Sequence, residues 1–155
     1  MKNLVIKIIV SVVFIIAVFF TIKLFANENL SLTAGRIQVT IVDDQGIIVF
    51  DDELEFYKGD SFFDVLNRNF DLTCANGSYQ ADEDCTYEFQ SFGFQGKVLL
   101  GIKNDDFEVM SNWTNTFLSI EKYDGTAYKL TTVGVSNISF DNHDRFKISL
   151  KNAWE

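Results

Sequence analysis

Arg36-Ile37-Gln38-Val39-Thr40-Ile41-Val42-Asp43-Asp44-Gln45-Gly46-Ile47-Ile48-Val49-Phe50 alternates, turns and comes back. Ile37, Val39 and Ile41 share one face, and Arg36, Gln38 and Thr40 share the other. That period of two belongs to a half-buried strand. Asp43-Asp44-Gln45-Gly46 has turn chemistry, because Asp carboxylates bond nearby backbone and Gly accepts a positive φ. Ile47 to Phe50 returns as a second strand, so the two form a hairpin. Leu54 to Tyr57 reads as a short further strand.

Just downstream, Gly59-Asp60-Ser61 marks a helix start. Ser61 and Asp64 have the spacing of a capping box. Phe62, Phe63, Leu66 and Phe70 fall on one helical face, which reads as core. Leu72 to Thr86 reads as a long loop holding both cysteines. Tyr87 to Phe94 reads as a strand kinked at Gly93. Lys97 to Ile102 is apolar enough for a buried strand, and Trp113 to Lys122 is extended beyond a polar link. Asp124-Gly125 suits a hairpin turn, with Ala127 to Thr132 returning. Val133 to Phe140 continues extended, broken at Gly134, and Asp141 to Asp144 turns again. Arg145 to Leu150 alternates, with Phe146, Ile148 and Leu150 inward. A hairpin, a helix and then further strands predict an α+β class: a mainly antiparallel or mixed sheet with one helix, in β-grasp-like order.

Upstream lies a delivery segment, residues 1–26. Ile8 to Ile22 is uncharged and apolar apart from Ser11 and Thr21, with Lys7 before it and Lys23 after. That run alone is short for a hydrocarbon core. Leu4 to Phe25 is long enough if both lysines reach the head groups. The segment is therefore a signal peptide cleaved after Ala26 or an N-terminal transmembrane anchor. Lys2 and Lys7 favour the uncleaved anchor with its N-terminus in the cytoplasm. Residues 27–35 read as a linker, and residues 36–155 as the extracytoplasmic domain.

Charge narrows the partners. Lys2, Lys7 and Lys23 stand in the delivery segment, which leaves ten basic residues against twenty-two acidic ones, a net charge of −12. Nucleic acid is excluded, because phosphate binding needs basic density. Cys74 and Cys85 are the only cysteines. An even pair in an exported domain invites a disulfide, with two free thiols as the alternative. Zinc is excluded by the missing Cys-x-x-Cys and the single histidine. Asp82-Glu83-Asp84 lacks EF-hand spacing and reads as a solvated acidic turn.

Catalytic signatures are missing from the sequence. His143, the one histidine, sits in the closing turn, and no Gly-x-Ser-x-Gly elbow accompanies it. The reading is non-enzymatic. The candidate ligand-binding residues are Asn112, Trp113, Thr114 and Asn115. An indole face flanked by amides and a hydroxyl suits stacking on a flat ligand or a sugar. The alternative for Trp113 is a core tryptophan at a strand start.

Residues 36–150 resemble the bacterial DUF4430 family, which is related to the C-terminal β-domain of transcobalamin and intrinsic factor. The resemblance is carried by Lys58-Gly59-Asp60-Ser61-Phe62-Phe63-Asp64-Val65-Leu66, Gly96-Lys97-Val98-Leu99-Leu100-Gly101-Ile102 and Trp113-Thr114-Asn115-Thr116-Phe117-Leu118-Ser119-Ile120. Val133 to Ile138 and Asp141 to Phe146 add to it. It implies an extracytoplasmic module, often membrane-anchored, that binds a small molecule or a surface protein. In the transcobalamin relatives the ligand is a corrinoid, so cobalamin is the implied ligand. The alternative is a structural or protein-interaction domain on the cell surface, with strand addition expected at the Arg36 or Arg145 strand.

Overall fold

The alternation from Arg36 onward is satisfied by burial. Gly35–Val42 forms β1, and its Ile37, Val39 and Ile41 are fully buried. The computed structural model describes residues 11–18, 30–91, 93–112 and 114–152. The turn after β1 closes as its residues dictate: Asp43 Oδ1 accepts from the Gln45 and Ile47 N–H groups, both at 2.8 Å, and Gly46 has φ 79°. β2 then runs unbroken over Ile48–Phe56, antiparallel to β1. The separate short strand expected at Leu54–Tyr57 is the end of this one. Its acidic run does not interrupt it, because Asp51, Glu53 and Glu55 alternate onto the solvent face. Asp52, opposite Val39, falls on the core side yet stays exposed, because β2 is an outermost strand.

β11, Arg145–Asn152, lies on the other side of β1 and runs parallel to it, with Val39 opposite Phe146 and Ile41 opposite Ile148. β9, Thr116–Tyr123, pairs antiparallel with β11. β10, Tyr128–Leu130, pairs antiparallel with β9. The sheet order is β10-β9-β11-β1-β2, so the first and last strands of the domain meet at its centre. β1 and β11 are each flanked on both sides. Strand addition at Arg36 or Arg145, expected above, is therefore ruled out, since neither strand has a free edge.

The helix α1, Phe62–Asn69, covers the inner face of this sheet. Its capping box is complete: Ser61 N–H donates to Asp64 Oδ2 at 2.8 Å, and Asp64 N–H donates to Ser61 Oγ at 3.2 Å. Phe62, Val65 and Leu66 are fully buried. The Phe62 ring lies 4.4 Å from that of Phe146 and 5.9 Å from that of Phe140. The Phe70 ring meets Phe50 edge-on at 5.0 Å. Aromatic contacts thus join the helix and its C-cap residue Phe70 to β2 and β11.

A second sheet has the order β4-β3-β7-β8, from β3 (Asp71–Ala75), β4 (Ala81–Asp82), β7 (Leu99–Lys103) and β8 (Glu108–Met110). Leu72–Ala75 is thus a buried strand, not the loop expected there; with four consecutive residues buried it has no alternation to betray it. The region from Phe89 to Gly96 differs too. It is a tight hairpin, β5 (Phe89–Ser91) and β6 (Phe94–Gly96), that folds back at Gly93 with φ 94°. The expected kinked strand becomes two because glycine allows a full reversal. Val135–Asn137 forms a 3-10 turn where an extended run was expected.

Cys74 and Cys85 are joined by a disulfide with Cα atoms 5.0 Å apart. Cys74 belongs to β3, so the bridge ties the acidic turn to the core. The Asp82 carboxylate caps that turn, accepting from Thr86 Oγ1 at 2.8 Å and the N–H groups of Thr86 and Asp84. The Thr86 hydroxyl is the leading cause that holds the Asp82 carboxyl below its ordinary range. The Lys97 ammonium donates to the Cys85 carbonyl and lies 5.0 Å from the Phe63 ring centre. The Asp82 carboxylate thus holds the turn from within.

Residues 11–18 are helical and exposed, and the remainder of the expected membrane segment, residues 4–25, lies outside the described residues. Among the described residues no helix is long and apolar enough to cross a membrane. Ser31 is already docked on the domain: its N–H donates to the Asp60 carbonyl and its carbonyl accepts from Gly59 N–H, both at 2.9 Å.

Replacing both cysteines, Cys74→Ser with Cys85→Ser, is expected to lower stability by roughly 2–4 kcal/mol, mainly by freeing the unfolded chain. Urea unfolding of the full chain checks this. Equal midpoints for parent and variant would mean that the Asp82 and Lys97 contacts hold the loop unaided.

Candidate functional site

The segment singled out from sequence is a self-contained turn. Asn112 Oδ1 accepts from the N–H groups of Thr114 (3.0 Å), Asn115 (2.8 Å) and Thr116 (3.1 Å). The Thr116 hydroxyl approaches the same oxygen at 3.1 Å and accepts from Asn112 N–H at 3.0 Å. Ser111 Oγ donates to the Thr116 carbonyl at 2.6 Å. Asn112, Thr114 and Asn115 are exposed, and Trp113 lies outside the described residues. The Asn112 amide oxygen is thus engaged by its own loop, as a short polar side chain favours. The loop leads directly into β9.

β9 carries the loop to an apolar groove. Phe94, Val98, Leu99, Phe117, Leu118, Ile120, Leu130, Val133 and Val135 line it, with Lys97, Thr131 and Gly134, around about 320 Å³. One wall is β9 and the end of β10. The other is the segment from Phe94 to Leu99 together with Val133 to Val135. That second wall is locked by backbone contact. Gly134 N–H donates to the Gln95 carbonyl at 2.7 Å, Val135 N–H to the Lys97 carbonyl at 2.8 Å, and Lys97 N–H to Ser136 Oγ at 3.0 Å. A Cβ on Gly134 would stand 2.5 Å from both the Gly96 carbonyl carbon and the Lys97 oxygen, so only glycine fits. Leu130, 56% exposed, stands at the rim. The polar groups nearby are spent: Lys97 on the Cys85 carbonyl and Thr131 Oγ1 on the Ile120 carbonyl. The groove therefore offers apolar contact with little polar competition.

A wider concavity of about 620 Å³ occupies the outer face of the large sheet, lined by Gln38, Thr40, Asp51, Tyr128, Arg145 and Lys147 among others. Its groups already answer one another. Asp51 accepts from Gln38 Nε2 at 2.7 Å and Thr40 Oγ1 at 2.8 Å. Those two hydrogen bonds, Thr40 first, hold its carboxyl below the ordinary range. Arg145 stacks 4.8 Å above the Tyr123 ring, and Lys147 lies 4.8 Å above that of Tyr128. Glu121 is buried between Lys147, at 2.6 Å, and Lys151. Burial pushes its carboxyl upward, and the two lysines outweigh that and leave it lowered. His143, in this face's rim, has φ 69° in the turn before β11. The Asp51 and Glu121 carboxylates are thus already engaged, while Ser119 Oγ and Ser149 Oγ on the same face are buried without a hydrogen-bond partner among the described residues. The apolar groove is the better candidate.

Sequence reading missed the groove because its walls come from four separate segments. Two signals do point to it: an exposed Leu130 on a polar strand, and the Gly134 interruption. No protein-family model matches this chain, and no curated protein matches it with significance.

The lowered Glu121 carboxyl gives a pH test of the outer face. A depressed carboxylate contributes stability above its ordinary value, 4.5, and loses that contribution as pH falls through the lowered one. Glu121→Gln is expected to be less stable than the parent at pH 7, with the gap closing between pH 5 and strongly acid solution. Urea midpoints measured across that range check it; a gap that stays constant would show that the two lysines do not stabilise the ionised form.

Proposed function

We propose that this chain is a non-enzymatic extracytoplasmic ligand-binding module, β-grasp-like and similar to the DUF4430 domains. In this reading the Leu4–Phe25 segment holds it in the membrane as a single-pass anchor, or the domain is secreted after cleavage behind Ala26. The topology supports the fold: an opening hairpin, a helix across one face, and a last strand parallel to the first at the sheet centre. The observation that carries the function is the apolar groove between β9 and the locked Phe94–Leu99 and Val133–Val135 wall. Its ligand is a solute that seats an apolar edge in the groove, with a corrinoid such as cobalamin as the leading case, its methyl-bearing edge inside and its amide side chains in water. The groove lies at the small end of ligand sites, so it would hold one edge of a corrin-sized solute and leave the rest to solvent or a second protein.

A second reading, a protein-interaction domain on the cell surface, is favoured by one specific observation. β10 covers only Glu121–Tyr123 of β9, which leaves the Thr116–Ser119 half of that strand as a sheet edge among the described residues.

Calorimetric titration of the full chain in lipid nanodiscs with cobalamin and cobinamide separates the two. Saturable heat is expected, weakened about tenfold by Leu130→Glu, which removes one exposed apolar wall. Trp113→Ala tests the indole in the same assay. A folded protein that gives no heat with either compound would discard the corrinoid and leave the second reading.

A further inference from the structure

From the hydrogen-bond parity of β9, we infer that the groove is a strand-addition site, whose occupant is a short extended peptide with apolar side chains and basic flanks. This rests on the protein-interaction reading and names the partner's chemistry. In an extended strand, main-chain groups of alternate residues point to the same side. Thr131 N–H donates to the Ile120 carbonyl at 2.9 Å, so the main-chain groups of Ile120 point toward β10. Those of Leu118 and Thr116 therefore point the same way. Thr116 is closed off at its N–H by Asn112 Oδ1 and at its carbonyl by Ser111 Oγ. Between these two closures, Leu118 presents both its N–H and its carbonyl to the groove, with the Ile120 N–H beside them. The register leaves no described strand on that side.

Three further features suit an incoming strand. First, Phe117 and Leu118 point to opposite faces of the sheet, yet both line the groove. The groove thus wraps the edge, and alternate side chains of an added strand meet apolar walls above and below. Second, β10 cannot lengthen to fill the gap. Its continuation is held away at Gly134, packed on the Gly96 and Lys97 backbone. The opening is built into the chain path. Third, the charge outside the delivery segment is −12, so a peptide with basic flanks is steered toward it and an acidic one is repelled.

The probe is a synthetic library of ten-residue peptides, valine alternating with varied residues and two lysines at each end, read by fluorescence polarisation against the full chain in nanodiscs. Binders are expected. N-methylation of the central amides should weaken the best of them about tenfold or more, because it removes main-chain donors and keeps side chains. Leu130→Glu, at a position 56% exposed, should weaken it similarly in protein shown to be folded. Hydrogen exchange should slow at the Leu118 amide on binding and stay unchanged on β1. A library without binders overturns the inference. Binding that N-methylation leaves untouched also overturns it, while retaining the groove as an interaction site. If no peptide binds but cobinamide does, and Leu130→Glu abolishes that, the solute reading stands and strand addition falls.

Discussion

Parallel pairing of β1 with β11 is the constraint on which the structure depends. Two strands more than a hundred residues apart in sequence share the centre of one sheet, and Val39, Ile41, Phe146 and Ile148 meet there fully buried. Every other element is placed relative to that seam. The hairpin partner β2 takes the outside of β1, and β9 takes the outside of β11. α1 lies across the seam, its Phe62 ring against Phe146, so the helix is useful only once the last strand is in place. Parallel neighbours need a long connection, and here the connection is most of the domain. The intervening chain builds the second sheet, the disulfide loop and the groove.

Local chemistry was well written in the sequence. The hairpin turn at Asp43–Gly46, the Ser61–Asp64 cap and the alternation of Arg145–Leu150 each rest on short-range rules, and each is present. The pairing of Cys74 with Cys85 followed from an even count beside an expected export segment, and the bridge is there. What stayed hidden is what depends on neighbours distant in sequence. β3 is buried along Leu72–Ala75, so it lacks the polar alternation that identifies a half-buried strand. β8 is short, and acidic residues around it resemble a loop. Strand order cannot be read from alternation at all, which is why β1 and β11 looked like available edges when they are interior.

The candidate site shows the same division. Asn112, Thr114 and Asn115 look like ligand groups because amides and a hydroxyl surround an aromatic residue, yet the Asn112 oxygen is occupied by backbone N–H groups of its own turn. Polar residues that cap a turn and polar residues that grip a ligand have the same composition. Only geometry separates them. The groove, in turn, is assembled largely from residues such as Phe94, Phe117 and Val133, none of which is unusual in its own segment. A close glycine contact between Gly134 and Gly96 creates the space, and a backbone contact leaves little trace in composition.

Asp52 gives the large sheet a polarity of use. It lies on the core-facing side of β2, the strand at one rim, and remains in water there. A second copy of this chain pairing through its own β2 would bring further carboxylates beside Asp52, which is unfavourable. The opposite rim, β10 with the Thr116–Ser119 half of β9, carries no carboxylate in those residues. A sheet that can be extended at one rim only accepts a single addition and then stops, because a growing fibre needs both rims open to propagate. Under the strand-addition proposal, the domain would join one partner without seeding an open-ended stack.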